Sequence, residues 1–342
     1  MSLKNRWSGL LFAAAVAVVT AGCEVPPVDT VQHGFRGTGM VELYNPATVA
    51  EQVIANKVPQ LAVLPAGGAA AKTSFKNLQV LGDLDINQFT GLMVALTAWV
   101  SPQQGCSYCH VAGDLASDAI YTKVVSRRML QMTQQINSQW QNHVVATGVT
   151  CYTCHRGQPV PANIWFTDPG PKTAKGMVGS RAGQNMPAAA VGVTSLPYDP
   201  LTAFLDQSNE IRVTPTTTLP THSRPVSIVD TERTYGLMVN MSKSLGVNCN
   251  YCHNSQSFAS WGLSTPQRTT AWYGIRMVRE LNNSYLKPLK PVFPVQRLGP
   301  LGDAPKVGCA TCHQGAYKPL YAAPMLKDYP ALASASLRPV KK

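Results

Sequence analysis

Apolar positions along the chain come in short stretches that proline and glycine interrupt, since the sequence holds 26 residues of each. The stretches around Met93 and Met238 are apolar and predict helices. Residues 23–84 differ, because their apolar runs, such as 53–55 and 61–65, alternate with Pro breaks and predict strands and loops. The pattern as a whole predicts a mainly α protein with extensive coil and a few short strands.

The start of the chain has the order of an export signal. A short basic region is followed by an apolar run over residues 7–21 and then by small residues before Cys23. Because the small residues before Cys resemble a bacterial lipobox, we predict a signal peptide over residues 1–22 and a lipid anchor on Cys23. Thr20 stands where a lipobox usually has Leu, which leaves open an ordinary signal with a free Cys or an uncleaved anchor.

Eight of the nine cysteines fall in four copies of one motif, C-x-x-C-H. This is the attachment sequence of c-type haem, in which two thiols on one turn meet the two vinyl groups and the His that follows binds iron as the proximal ligand. The sequence therefore predicts four covalently bound haem c groups. The four copies are Cys106, Cys109 and His110; Cys151, Cys154 and His155; Cys249, Cys252 and His253; and Cys309, Cys312 and His313.

A single C-x-x-C pair is also typical of half a zinc site or of a redox disulfide. Here each of the four pairs has His directly after its second Cys, and Cys23 is the one cysteine outside them. The repetition favours haem attachment over both alternatives.

The formal net charge of +12 raises the question of a nucleic-acid partner. Lys4 and Arg6 leave with the signal peptide and four haems bring two propionates each, so the mature protein falls to about +2. The basic residues are then counter-charges for propionates, and no Lys/Arg run has interleaved aromatics. We expect no nucleic-acid partner.

The motifs alternate in type along the chain. The first and third have Tyr before the second Cys, whereas the second and fourth have Thr there and a Gly two residues after the His. Upstream, Gly-Leu-Met-Val occurs at 91–94 and again at 236–239. This repeat predicts two pseudo-symmetric halves, each holding a haem pair. We place the first half at 85–165, a connecting segment at 166–215, the second half at 216–320 and a loose C-terminal tail at 321–342.

Each iron needs a sixth ligand if the chain only transfers electrons, and Met and His are the candidates. Met93 and Met238 lie 13 and 11 residues before the first Cys of their motifs, on matching apolar stretches. We predict that Met93 binds haem 1 and that Met238 binds haem 3. For haem 2 the repeat favours Met129 over Met132, which is then a core residue.

The fourth haem has two candidate ligands. The repeat aligns Met129 with Met277 and so slightly favours Met277. His143 lies twelve residues before His155 and is one of only three His outside the motifs. The residues alone leave both assignments open.

The layout from about residue 85 to residue 319 resembles the tetrahaem cytochrome subunit of purple-bacterial photosynthetic reaction centres. The paired motifs, the long gap between the pairs, the Met-bearing helices and the lipobox-like start carry this resemblance. It implies His/Met ligation of the first three haems and bis-His ligation of the fourth, with His143 as the distal ligand and Met277 as a packing residue. A bis-His iron has a lower potential than a His/Met iron.

The resemblance also implies a function. It predicts an electron carrier, not an enzyme, lipid-anchored at the periplasmic face of the photosynthetic inner membrane and bound to the pigment-binding subunits of the reaction centre. Electrons then come from a soluble c-type cytochrome or a high-potential iron–sulfur protein and pass to the photo-oxidised bacteriochlorophyll special pair. The haem on His253 is expected nearest the pigment, and the haem on His110 nearest the donor.

Two other functions are compatible with four haems. A quinol-linked membrane relay usually has a spanning helix and mostly His distal ligands, and this chain has only three spare His. A multihaem reductase needs an open iron, whereas every iron here has a candidate sixth ligand. Both are less favoured than the reaction-centre relay.

Overall fold

The computed structural model describes residues 28–32, 41–170, 185–211 and 228–333. The predicted signal peptide, the lipid site at Cys23 and parts of the connecting segment and tail lie outside these ranges. Within the same ranges, no helix combines the length and the apolar character that crossing a bilayer requires.

Helices, turns and coil make up most of the described residues, which confirms the predicted mainly α class with extensive coil and short strands. Two antiparallel ribbons form, β1 (Asp29–Gln32) with β2 (Val41–Tyr44) and β3 (Asn185–Pro187) with β4 (Ser195–Pro197). The α-helices are α1 (Pro46–Ala55), α2 (Ala71–Ser74), α3 (Ile86–Val100), α4 (Tyr121–Gln139), α5 (Gln141–Val144), α6 (Cys151–His155), α7 (Ile228–Leu245), α8 (Pro266–Glu280) and α9 (Cys309–His313). Shorter 3-10 segments are Gly105–Tyr108, Ala189–Val191, Cys249–Tyr251, Lys287–Leu289, Val295–Arg297, Pro319–Ala322, Met325–Asp328 and Pro330–Leu332, and π-helical segments are Thr202–Asp206 and Leu281–Leu286.

Helix α3 shows how local sequence sets these elements. The Asp85 carboxylate accepts a hydrogen bond of 2.9 Å from the Gln88 N–H, which caps the first turn. Leu92, Ala95 and Trp99 recur at helical spacing and are buried, so one side of α3 belongs to the core. Helix α6, which carries the second motif, packs against α3.

Two hydrophobic clusters form the core. One joins α3 and α4 to the chain near its C-terminus through Leu92, Trp99, Leu130 and Leu332. The other is centred on α7, α8 and the two π-helical segments. The motif-bearing segments lie along these clusters, so the core fixes where the haem-attaching residues stand.

The described part of the tail is docked. The Tyr329 ring meets the Trp99 ring edge-on with centres 4.7 Å apart, and Leu332 is fully buried. The Asn137 side-chain amide donates a hydrogen bond of 2.8 Å to the Leu332 carbonyl. The expectation of a loose arm over 321–342 is therefore wrong up to residue 333, because large apolar side chains there complete the core around α3 and α4.

The N-terminal segment also differs from the predicted strands and loops. Residues 53–55, expected to be extended, lie in α1. Asn45 accepts a hydrogen bond of 3.0 Å from the Ala47 N–H, and Pro46 occupies the first helical position, so a strong start signal sets a helix here.

The segment after the second motif pairs with the segment before the fourth. Trp165 and Lys306 exchange two backbone hydrogen bonds of 2.9 Å, and the Trp165 indole N–H donates to the Val307 carbonyl at 2.9 Å. The Lys306 ammonium is almost fully buried, 4.8 Å from the centre of the Trp165 ring, and is paired with Asp303. This Trp165–Lys306 bridge joins two parts of the chain that are far apart in sequence.

Candidate haem-binding sites

The four motifs have two local geometries. The first and third form 3-10 turns, Gly105–Tyr108 and Cys249–Tyr251, whereas the second and fourth are the short helices α6 and α9. Thr in the C-x-Thr-C-H motif explains the difference, because the Thr153 hydroxyl accepts a hydrogen bond of 2.9 Å from the backbone N–H three residues earlier and so caps the turn. The Thr311 hydroxyl does the same at 2.9 Å.

Every motif His has its Nδ1 beside a backbone carbonyl, which can only accept a hydrogen bond. The distance is 3.0 Å from His110 to the Leu115 oxygen and 3.0 Å from His253 to the Phe258 oxygen. It is 2.9 Å from His155 to the Gln158 oxygen and 2.8 Å from His313 to the Ala316 oxygen. Nδ1 therefore carries the proton, and Nε2 keeps the lone pair that a metal needs.

Burial is the main cause that lowers the pKa values of His155 and His253. Burial, together with the nearby His143 and Arg156, lowers the pKa of His313 to about 4. Neutral imidazole is the form that binds iron.

One large and mostly apolar cavity of about 540 Å³ brings the predicted ligands of haems 1 and 2 together. Met93, Cys106, Cys109 and His110 line one part of it, and Met129, Cys151 and His155 line another. Met129 and Met132 both pack against the hydrophobic core, but only Met129 also lines this cavity. The lining has the apolar surface, thiols, imidazoles and thioethers that covalent haem requires, so the residues fit that group.

The structure also brings His143 to the fourth motif. The rings of His143 and His313 have centres 6.2 Å apart and planes crossed at 64°. His143 Nδ1 lies 2.9 Å from the Thr270 carbonyl, so its Nε2 is free as well. Met277 is buried in the core formed by α7, α8 and the π-helical segments.

The third motif, like the first, is partly open to solvent. Cys249 is exposed, and the His253 ring stacks on Phe258 with centres 5.4 Å apart. Met238 lies on α7, which ends just before the motif, and packs against the core beside the buried Leu237 and Met241.

Several contacts recur between the two motif pairs. Thr122 donates its hydroxyl hydrogen to the Tyr108 carbonyl, and Thr265 donates to the Tyr251 carbonyl at 2.6 Å. Two backbone bonds also correspond, because the Gly157 N–H donates to the Trp99 carbonyl at 2.8 Å and the Gly315 N–H to the Ser244 carbonyl at 2.9 Å. Helix α6 packs on α3, which carries Met93, and α9 packs on α7, which carries Met238.

The motif thiols are mostly free, with one exception. Cys154 and Cys312 are joined by a disulfide, their Cα atoms 4.3 Å apart, where the sequence predicts thioethers to two separate haems. The other six motif cysteines are free. Burial raises the pKa of Cys151 to about 12 and that of Cys309 to about 11, so these thiols are neutral. In the described residues no three His, Cys, Asp or Glu side chains converge as a zinc site would require.

Sequence reasoning missed Arg156 and Gln314, which follow His155 and His313. Both have positive φ, of 50° and 46°, and each reaches across to the other motif. An Arg156 NH2 donates to the Cys312 carbonyl at 3.1 Å, and the Gln314 amide donates to the Cys154 carbonyl at 3.3 Å. Aligning C-H-R-G with C-H-Q-G shows the correspondence, although not the contact.

The chain is similar to a set of proteins of one kind. A family model described as photosynthetic reaction centre cytochrome C subunit matches residues 24–333. Proteins named photosynthetic reaction center cytochrome c subunit are 54% identical in Rubrivivax gelatinosus, over 98% of this chain and 92% of that protein, and 53% identical in Thermochromatium tepidum, over 92% and 78%. A protein of the same name in Roseobacter denitrificans is 42% identical over 95% of this chain and 91% of its own length.

Proposed function

We propose a route for electrons through this chain, which belongs to the family of photosynthetic reaction centre cytochrome c subunits. The chain is an electron-transfer cytochrome of the photosynthetic reaction centre and carries covalently bound haem c. The proposal is that it holds four haems, takes electrons from a soluble periplasmic c-type cytochrome or high-potential iron–sulfur protein, and passes them to the photo-oxidised bacteriochlorophyll special pair.

The proposal of four haems is supported by the equivalence of the four motifs. Each has two cysteines and a His whose Nδ1 is held by a carbonyl three or five residues later, so that Nε2 is free. All four motifs share these three residues and this contact. Haem supplies a one-electron iron couple when bound, and the protein holds it, orients it and limits its exposure to water.

The proposed axial pairs follow from the same contacts. For haems 1 and 2 the support is the shared cavity lining, and for haem 3 it is the matching position of Met238 before its motif. The pairs are His110 with Met93, His155 with Met129, His253 with Met238, and His313 with His143.

The bis-His pair rests on a distance. Two imidazoles that bind one metal through Nε2, with metal–nitrogen bonds of about 2 Å, have ring centres roughly 6 Å apart. The measured separation of the His143 and His313 rings is 6.2 Å. The core position of Met277 agrees with a packing role for that side chain.

We further propose that residues 85–165 and 216–320 are pseudo-symmetric halves, each with a haem pair. The recurring hydroxyl contacts of Thr122 and Thr265 support this, as do the matched packing of α6 on α3 and of α9 on α7. The symmetry is broken at His143, which belongs to the first half but whose ring lies beside His313 of the second half.

Haem loading places a condition on Cys154 and Cys312. A thioether forms when a thiol S–H adds across a vinyl C=C, so each sulfur must be a free thiol first. The Cys154–Cys312 disulfide and thioethers at the same two sulfurs exclude each other, so the proposed attachment of haems 2 and 4 requires both cysteines as free thiols.

The proposed location is the periplasmic face of the photosynthetic membrane. The export signal over residues 1–22 supports translocation, and lipidation of Cys23 would provide one membrane contact. Cys23 would carry a diacylglycerol anchor, and binding to the pigment-bearing subunits would supply a second contact.

The observation that carries the proposal is the occurrence of four equivalent, Nε2-free motif histidines in a chain whose family match spans residues 24–333. Flash excitation of purified reaction-centre complexes, with no soluble donor present, tests it. We expect the oxidised pigment to be re-reduced while haem α-band absorbance is lost in equal amount, on up to four successive flashes. Complexes stripped of this chain serve as the control, and equal pigment recovery in both samples would refute the proposed route.

A further inference from the structure

The side chains of Arg156 and Gln314 occupy equivalent places after the second and fourth motifs and exchange contacts. The Arg156 guanidinium donates to the Cys312 carbonyl at 3.1 Å, and the Gln314 amide donates to the Cys154 carbonyl at 3.3 Å. Each side chain also donates to a carbonyl of its own motif. Arg156 donates to the Thr153 carbonyl at 3.0 Å, and Gln314 donates to the Thr311 carbonyl at 3.1 Å. The two residues thus form a reciprocal joint between the second and fourth motifs.

The joint is symmetric in shape but not in charge. Arg156 is a permanent cation and Gln314 is neutral. The remaining contacts of the guanidinium are with the Ala55 carbonyl at 3.2 Å and the Asn56 side-chain oxygen at 3.1 Å. Among the residues that the structure describes, all of the acceptors of Arg156 are neutral, so protein dipoles and no side-chain carboxylate solvate its positive charge there.

The charge lies against the backbone of the fourth motif. One guanidinium NH2 donates at 3.1 Å to the carbonyl of Cys312, the residue directly before His313.

We propose that Arg156 is a positioning residue that raises the reduction potential of the fourth haem. Oxidation adds one positive charge to an iron, and a fixed cation nearby in a partly desolvated joint makes that change less favourable. The inference rests on the proposed ligation, in which His143 and His313 give the fourth iron a low potential. Arg156 then reduces the difference in reduction potential between the fourth haem and the His/Met-ligated haems.

Equilibrium redox titration of the assembled reaction-centre complex tests the inference. The fourth haem is recognised as the one without a thioether-to-iron absorption band. In the Arg156→Gln variant, which copies the neutral residue of the fourth motif, we expect the ratio of reduced to oxidised fourth haem at a fixed solution potential to fall about tenfold, which is about 59 mV for one electron. The other three haems should change less.

Two further variants separate charge from structure. Arg156→Lys keeps the cation, so the ratio of reduced to oxidised fourth haem at the same solution potential should stay within threefold of the wild-type ratio. The exchange variant, Arg156→Gln with Gln314→Arg, keeps one cation in the joint and should lower the fourth potential while raising that of the second haem. It also provides a readout if Arg156→Gln alone fails to assemble.

The inference is overturned if Arg156→Gln leaves all four ratios within threefold, or if all four haems shift equally, as general loosening would cause. The titration needs no light and no soluble donor, so its result is independent of the proposed electron route. A wild-type spectrum with fewer than four haem components would instead refute the four-haem proposal.

Discussion

The imidazole rings of His143 and His313 lie with their centres 6.2 Å apart and their planes crossed at 64°. Both Nδ1 atoms are turned to backbone carbonyls, those of Thr270 and Ala316, so the free nitrogens of the pair are Nε2. One ring comes from the short helix α5 before the second motif and the other from the fourth motif itself. The proposed site of the fourth haem thus combines side chains from both parts of the chain.

Replacing His143 by Met should raise the potential of one haem by on the order of 0.1 V, a small part of the range that axial ligands span. The reason is that a thioether stabilises ferrous iron relative to imidazole. Redox titration and the appearance of an additional thioether-to-iron absorption band measure the change. Met277→Leu is the control and should leave both unchanged; loss of such a band in that variant would assign Met277 as the ligand.

Gly274 on α8 lies directly behind the His143 ring. A Cβ placed there would stand 2.6 Å from Cε1 and 2.9 Å from Nδ1 of that ring. Gly274→Ala should therefore push the ring off the Thr270 carbonyl and destabilise the folded chain by about 1–3 kcal/mol, partly offset by the better helix propensity of Ala. Thermal unfolding and the fourth-haem potential report the effect. Gly262→Ala is the control, because a Cβ added at Gly262 would have no atom within 4 Å, and it should change neither the stability nor the fourth-haem potential.

Met93→Leu should open the sixth position of the first haem, since Leu fills a similar volume but offers no ligand atom. We expect the reduced variant to bind one equivalent of carbon monoxide, which the wild-type protein should not bind. Val94→Ala changes the neighbouring, exposed side chain and should behave as wild type. Carbon monoxide binding by neither variant would remove Met93 from the proposed ligand set.

Intact mass measurement of the mature chain should show the added mass of four haems and no disulfide. Peptides around Cys154 and Cys312 should each carry haem, because a thioether sulfur has no bond left for a disulfide. A cross-linked pair in the fully loaded protein would contradict the proposed attachment at these two cysteines.

Asp118 should give a small acid-dependent contribution to stability. A hydrogen bond from Arg127, together with the charges of Arg127 and Lys123, lowers its pKa to about 2, below the ordinary value of 3.8. The lowered value means that this stability is present above about pH 4 and is lost as pH falls towards 2. Because the carboxylate is largely exposed, the contribution should not exceed about 1 kcal/mol. Between pH 5 and pH 3 the thermal unfolding temperature should fall further for the wild type than for Asp118→Asn. If the unfolding temperatures of the two proteins fell in parallel, Asp118 would make no such contribution.

The sequence predicts what depends on local pattern. The C-x-x-C-H spacing fixes where haem attaches, and the apolar stretches around Met93 and Met238 are helices with those residues on them. Repetition also predicts the correspondence of the motifs, because equivalent sequences make equivalent local hydrogen bonds. These features need no knowledge of which distant segments meet.

What the residues alone leave open involves contacts between distant segments. The repeat favours Met277 for the fourth haem, but α8 turns that side chain into the core and presents the bare Cα of Gly274 to His143 instead. The docking of Tyr329 on Trp99 and the Arg156 contact with Cys312 arise in the same way. No local period in the sequence encodes such meetings.

The Trp165–Lys306 bridge constrains the order in which the chain can fold. In a chain synthesised from its amino end, the first three motifs are complete before Lys306 is added, and until then the bridge cannot form. The surroundings of the fourth motif, which begins at Cys309, can therefore be completed only last, and a chain that ended before Lys306 would contain three motifs without this bridge.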